Sequence, residues 1–349
     1  MAPLGEVRKS TAAVVRSQPI VLVIFGSTST IARNTLRTLA ELSSRDGKGF
    51  RAYLVGRNAA ATENVISECR DIYAQGQYKF IKASDLSLIQ DIGSACEEII
   101  KIEEETQDPR IDYLLLCQGG PIFIPRKDTT EGIDGTMSLM YYSRMKAVME
   151  LLPLLLKSTL PATVVSVYAA GLEGKLYPDD LSLRNLSKYS YVQARSHIVY
   201  MHTLFMEALS EKHPESLRLI HAFPGLVVGP GFQNPEIPAW LRILTNWVVL
   251  PIFGRWITTP PDECGTRILS LASSRYPPRP VDWSRKLPDV VPGTDGREGS
   301  GAYAIRANGE GIVNTAAYSK FNKDEMKMKV WKHTCDALEI AGSGKVFTE

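Results

Sequence analysis

Residues 20–42 read IVLVIFGSTSTIARNTLRTLAEL and pass without a gap from an apolar run to a small polar turn to a helix-patterned segment. Residues 21–25 are wholly apolar and rich in β-branched side chains, the composition of a central parallel strand covered on both faces. Gly26-Ser27-Thr28-Ser29 supplies a tight turn, and from Thr30 the apolar positions Ile31, Leu36, Leu39 and Ala40 fall near helical spacing. A strand feeding a helix in this way leaves the first helical amides unpaired and aimed at the loop, which makes an anion site and points to a nucleotide phosphate. The dinucleotide fingerprint has glycines where this chain has Thr30 and Ala32, so only its first glycine, Gly26, is present. Taken alone, the stretch also admits an ordinary βα turn with no ligand.

With 349 residues the chain can bury an ample core, as one large α/β domain or two small ones. A formal charge of +2, with Lys and Arg spread among Asp and Glu, leaves no basic stripe for nucleic acid. Five scattered cysteines without CxxC spacing argue for reduced thiols and against zinc, and the five histidines show no ligand spacing, so no metal is expected. The N-terminus lacks the apolar core of a signal peptide, and no stretch approaches the ~18 uncharged apolar residues of a membrane span. A cytoplasmic enzyme without an integral membrane segment is expected.

Residues 51–55 form a second strand, closed by Gly56-Arg57-Asn58. A charge just past this strand sits beside the adenosine ribose of a bound dinucleotide, and an arginine there favours the 2′-phosphate of NADP; a solvated loop arginine is the alternative. A helix over 59–74 and a third strand over 79–83 follow, and Ser84-Asp85-Leu86-Ser87 resembles an N-cap before a helix over 88–105. The fourth strand, 111–116, runs into Cys117-Gln118-Gly119-Gly120-Pro121, where small residues let backbone approach a ligand. One long helix is expected over 132–156. In the fifth strand, 162–168, the polar residue Ser166 lies toward the C-terminal edge, where open α/β sheets bind ligands; a serine satisfied in the core is the other reading. Residues 171–188 read as a loop and 189–212 as a helix, on which Tyr191 and Arg195 share a face. A sixth strand, 217–223, ends in the close turn Pro224-Gly225.

This alternation calls for a doubly wound parallel sheet of Rossmann type. Residues 1–18 read as an N-terminal extension, 19–230 as the core, and 231–349 as a C-terminal extension carrying helices at 260–273 and 324–340, a proline- and glycine-rich loop at 277–301 and a last strand at 302–305. The apolar stretch 238–253 is read as a lid over a lipophilic substrate or as a core or subunit-contact helix.

Together these pieces resemble the short-chain dehydrogenase/reductase family over residues 21–230. ECGTR at 263–267 and GAY at 301–303 resemble a fungal branch associated with secondary metabolism. The family's TGxxxGxG loop aligns with residues 25–32. By this resemblance Gly26, Thr28, Ser29 and Ile31 belong to an NADP(H) site, with the Gly26, Ser29 and Ile31 amides on the pyrophosphate and Thr30 turned aside. Asp85 and Leu86 match the adenine-side residues, Gln118 and Gly119 fall in the NNAG segment, and Pro224 and Gly225 match the PG turn. Ser166 matches the active-site serine, and Tyr191 with Arg195 matches YxxxK, the arginine also serving the cofactor. Tyr189 competes with Tyr191.

The resemblance implies that the tyrosine hydroxyl exchanges a proton with a carbonyl or carbinol oxygen while the serine hydrogen-bonds that oxygen. Arg195 supplies the cation that eases ionisation of a phenol, but it cannot release a proton into a relay as lysine can. The implied activity is NADP(H)-dependent ketone reduction or alcohol oxidation on a lipophilic small molecule in secondary-metabolite biosynthesis, by a homodimer or homotetramer. Thr30, Arg195 and Met140, each at a position where the family has another residue, keep open a non-redox cyclase, isomerase or dehydratase using Tyr191 and Ser166. A non-catalytic NADP-sensing protein is the third reading.

Overall fold

The computed structural model describes residues 3–120, 123–227, 258–284 and 288–349. Strands β1 (Ile20–Phe25), β2 (Phe50–Gly56), β3 (Gln77–Lys82), β4 (Tyr113–Leu116), β5 (Ala162–Val167), β6 (Leu217–Ala222) and β7 (Ala302–Ile305) build one sheet in the order β3-β2-β1-β4-β5-β6-β7. Every pairing is parallel. Side chains alternate between two cores: Val21, Val23 and Phe25 enter one, Ile20, Leu22 and Ile24 the other. Both faces are therefore dry, which is why the β1 run is apolar without alternation.

Helices α1 (Leu4–Ser17), α2 (Thr30–Asp46), α3 (Ala59–Ile72) and α7 (Pro261–Ser270) cover one face. Helices α4 (Ile89–Glu104), α5 (Ser143–Leu155), α6 (Tyr191–Lys212) and α8 (Lys323–Gly342) cover the other. Ser29, Asn58, Ser190 and Asn322 cap α2, α3, α6 and α8 through their side chains. Helix α4 departs from expectation. Its first amides are capped by the distant Glu131 carboxylate, which accepts from the Ile89 and Gln90 amides at 2.7 and 3.0 Å, while Asp85 folds back to accept from the Ser87 amide and hydroxyl. The single helix expected over 132–156 is a turn at Gly135–Met137, a π-turn at Ser138–Tyr142, and α5.

The termini are built into the fold. Strand β7 extends the sheet beside β6, and α7 crosses α2 so closely that a Cβ on Gly265 would lie 2.5 Å from the Asn34 backbone. Helix α8 packs on α6, whose residues 196–210 are all buried. At the other end α1 buries Val7, Thr11 and Val15. The 238–253 stretch lies outside the described residues. Among those residues no helix is long and apolar enough to cross a membrane.

Candidate active site

The strand order reverses between β1 and β4, so the crevice beyond their C-terminal ends is the place for a ligand. Gly26 forms its floor at φ +78°, and a Cβ there would stand 2.5 Å from the Gln118 amide nitrogen, so the two loops meet only because the residue is glycine. The Gly26 amide donates to the Val55 carbonyl at 3.0 Å, and the Ser29 amide to the Gly26 carbonyl at 3.0 Å. Two of the three amides expected to face a pyrophosphate, those of Gly26 and Ser29, are therefore spent inside the loop, while that of Ile31 is not. The Ser29 hydroxyl accepts from the Ala32 amide at 3.2 Å. This leaves the amides of Thr30 and Ile31 at the helix start without a partner among the described residues.

The other residues the resemblance assigns to a cofactor, Arg195 apart, lie in the loops that follow β1, β2, β3, β4 and β6. Arg57 stands just past β2, exposed and without a partner among the described residues. Asp85 spends its carboxylate on Ser87, and Leu86 is buried in the core. Gln118 is buried with its side-chain oxygen unpartnered. Beside it Gly119 is open, its nearest neighbour beyond the backbone being the Met140 methyl at 3.9 Å from an added Cβ. Pro224-Gly225 closes β6, with Gly225 at φ +76° and a Cβ there 2.6 Å from the Thr259 hydroxyl. Thr28 is exposed at the loop tip.

Tyr191 is the first residue of α6, set by the Ser190 cap on the Gln193 amide at 3.1 Å. Its ring lies 4.9 Å from that of Phe123, which is 60% exposed and held at φ 59°. Arg195 follows one turn on, half-buried, with no ion pair among the described residues and its Nε both buried and unpartnered. Burial raises the Tyr191 pKa, while the Tyr168 hydroxyl and the Arg195 charge pull it down. The competing Tyr189 donates its hydroxyl to both Asp134 carboxylate oxygens at 3.2 Å, on the side of the Gly135–Met137 turn.

Ser166 does not join this group. It is fully buried, and its Oγ accepts from Arg144 Nη1 at 2.8 Å and meets His202 Nε2 at 2.9 Å. His202 Nδ1 lies 2.9 Å from the Ile198 carbonyl, which assigns the proton to Nδ1 and makes Nε2 the acceptor of the serine proton. That enclosure matches the other reading of the sequence, a serine satisfied in the core.

The network around Ser166 was not visible in the sequence. Arg144 is fully buried and has no carboxylate partner among the described residues. Its Nη1 also donates to the Val167 carbonyl at 2.9 Å and its Nη2 to the Gln118 carbonyl at 2.5 Å, tying the ends of β4 and β5 together. Burial pulls its pKa down to about 10, which leaves it charged at neutral pH. His202 stacks on His221 at 4.5 Å, and His221 on Tyr168 at 6.4 Å. Burial, with Arg144 nearby, depresses the pKa of His202 to about 3 and that of His221 well below the ordinary value, so both are neutral. Tyr168 had a signal: it stands two residues past Ser166, so it shares that strand face nearer the crevice.

No family model matches the chain. It is 33% identical to the short-chain dehydrogenase/reductase SAT2 of Stachybotrys chartarum over 97% of each chain. It is also 33% identical to the oxidoreductase AN1596 of Emericella nidulans, over 98% of this chain and 99% of that one. Among solved structures, a short-chain dehydrogenase from Salmonella enterica serovar Typhi superposes with a TM-score of 0.52 at 17% identity, covering 76% of this chain and 95% of that one. L-sorbose reductase of Gluconobacter frateurii, complexed with NADPH and L-sorbose, gives 0.52 at 14% identity, over 75% and 92%. The fold, the crevice and the full-length likeness to a curated relative agree: the chain belongs to the short-chain dehydrogenase/reductase family.

Proposed function

We propose that this family member is an NADP(H)-dependent oxidoreductase that reduces a ketone, or oxidises the corresponding alcohol, on a lipophilic small molecule of secondary metabolism, in the cytoplasm. The observation that carries the reading is the Tyr191–Arg195 pair on the first turn of α6: a phenol beside a guanidinium that has no partner among the described residues. In such a pair the phenol gives its proton to a carbonyl oxygen and the cation steadies the phenolate left behind.

The residues present fit a dinucleotide. The Gly26 floor admits no side chain, and the free Thr30 and Ile31 amides at the start of α2 offer an anion two donors. Arg57 stands where a 2′-phosphate would lie, with a fork suited to it. Asp85 and Leu86 would flank the adenine, and Gln118, Gly119, Pro224, Gly225 and Arg195 the nicotinamide end. When bound, the cofactor supplies or accepts the hydride. The remaining work falls to the chain: Tyr191 moves the proton, Arg195 lowers the cost of the phenolate, and Phe123 offers an apolar wall against Tyr191. Exposed Leu172, Leu186 and Val192, on the loop after β5 and at the start of α6, suit a lipophilic substrate. A homodimer or homotetramer would have to form on surfaces other than α6, which α8 covers.

Fluorescence titration with NADPH and NADH, then turnover of a panel of aromatic and alicyclic ketones, tests the reading. NADPH binding with turnover that is lost in Tyr191→Phe supports it. Failure of both nucleotides to bind at millimolar concentration sinks it and leaves the non-redox alternative.

A further inference from the structure

We propose that Tyr168 supplies the second hydroxyl to the substrate oxygen, the part the family resemblance gives to Ser166; the inference rests on the redox reading above. The Tyr168 amide continues the sheet ladder, donating to the Ala222 carbonyl at 2.8 Å, so Tyr168 and Ser166 point to the same face. Ser166 is enclosed between Arg144 and His202 with no exposure. Tyr168 stands one strand repeat nearer the crevice, close enough to Tyr191 for each phenol to shift the other's pKa. The Tyr168 hydroxyl is shut off from water and has no well-aligned hydrogen-bond partner among the described residues.

A buried donor without an acceptor is costly, and such groups mark places where a ligand completes the bonding. The Tyr168 ring is fixed for that purpose. It stacks at 13° on His221, which stacks at 19° on His202, and the Arg144 guanidinium carbon lies 5.8 Å from the ring centre. The unpartnered Tyr168 hydroxyl and the neighbouring Tyr191 phenol make a pair of donors for one oxygen. In the reductive direction a hydride from bound NADPH forms the new C–H bond as the carbonyl π bond breaks. The oxygen takes the proton of Tyr191, Tyr168 donates a hydrogen bond and keeps its own proton, and water returns a proton to the Tyr191 phenolate. The carbonyl carbon is reduced by two electrons and the nicotinamide oxidised by two. Arg195 from α6, Arg144 from α5 and neutral His221 from β6 face this pair.

The test is steady-state ketone reduction and alcohol oxidation in the intact enzyme and in Tyr168→Phe, which keeps the ring and its stack. The expected result is a fall in kcat of about 100-fold, the size of losing one oxyanion donor, with NADPH affinity unchanged. The pH midpoint for oxidation should rise, because Tyr191 loses a neighbour that holds its pKa down. Ser166→Ala, or Ser166→Cys where the alanine variant does not fold, should keep kcat within about threefold. Wild-type kcat and an unmoved midpoint in Tyr168→Phe overturn the proposal, as does a 100-fold loss confined to the Ser166 variants. A wild-type enzyme that turns over no ketone overturns instead the redox reading on which the proposal stands.

Discussion

Arg144 and Ser166 hold each other beneath the crevice, Nη1 donating to Oγ at 2.8 Å, with both residues fully buried. The same guanidinium serves the Val167 and Gln118 carbonyls, so a single side chain of α5 fixes the ends of two strands at the edge where the ligand belongs. Arg144→Met would strand three acceptors at about 1–3 kcal/mol each, partly offset because no charge need then be buried. A net loss of about 2–4 kcal/mol is expected. Lysine should rescue little, since an ammonium lacks the planar fork that spans the two strands. Urea unfolding checks this, and an unchanged midpoint in Arg144→Met would show that the bridge carries no stability.

The Tyr191–Arg195 pair predicts a pH signature. Burial raises the phenol pKa and the Arg195 charge lowers it, so the phenol is protonated at neutral pH and ready to act as an acid, whereas oxidation needs the phenolate. Arg195→Met removes the lowering charge and should move the alkaline midpoint of oxidation upward. Arg195→Lys should restore it. A midpoint that stays put or falls in Arg195→Met would separate the arginine from the phenol.

The sheet was legible from the sequence because central strands buried on both faces leave unbroken apolar runs, and β1 is one. The helix carrying Tyr191 and Arg195 was legible to within two residues, starting at Tyr191 rather than 189 because Ser190 caps it. What the sequence hid are contacts made across the chain. The Glu131 cap on α4 comes from 42 residues away, whereas the polar cluster 84–87, adjacent and plausible, bonds to itself. Ser166 was placed on the right strand, but what meets its hydroxyl is decided by Arg144 from α5 and His202 from α6. No periodicity along β5 reports those partners. The geometry of the loop after β1 was hidden in the same way, since the Gly26 amide is spent on the Val55 carbonyl of the neighbouring strand and the Ser29 amide on the Gly26 carbonyl.

Arg57 predicts cofactor choice. It stands just past β2 with no partner among the described residues, so a 2′-phosphate would gain a charge-assisted fork, and reversal of the charge would meet it with repulsion. Arg57→Glu should weaken NADPH by about 30-fold or more, the equivalent of about 2 kcal/mol, and leave NADH within about threefold. Fluorescence titration of both nucleotides reads this directly. Equal losses would assign the effect to a disturbed β2–α3 turn rather than to phosphate recognition.

Three buried histidines and the partly buried His333 predict acid sensitivity. His202 accepts from Ser166, His221 from the Ala169 amide and His197 from the Tyr177 amide, each at Nε2, and His333 Nε2 pairs with the Tyr142 hydroxyl. A proton on Nε2 of His221 or His197 would break the bond to the amide, and on any of the four it would bring a charge into a desolvated site. Burial holds His202 near a pKa of about 3 and His197 and His333 near about 4, with His221 well below the ordinary value. The unfolded chain takes up these protons near pH ~6.5 and the folded one does not, so their contribution is complete above that pH and lost as pH falls toward 3–4. Each costs about 2 kcal/mol by pH 5. Buried Glu131, Asp134 and Glu207, whose carboxyl pKa values are raised by burial, act in the opposite sense at the acid end. Urea unfolding at pH 7, 6 and 5 should therefore show stability dropping steeply between pH 6.5 and 5, with proton uptake on unfolding. A flat profile there would mean that these histidines are charged, or reached by water, in the folded protein.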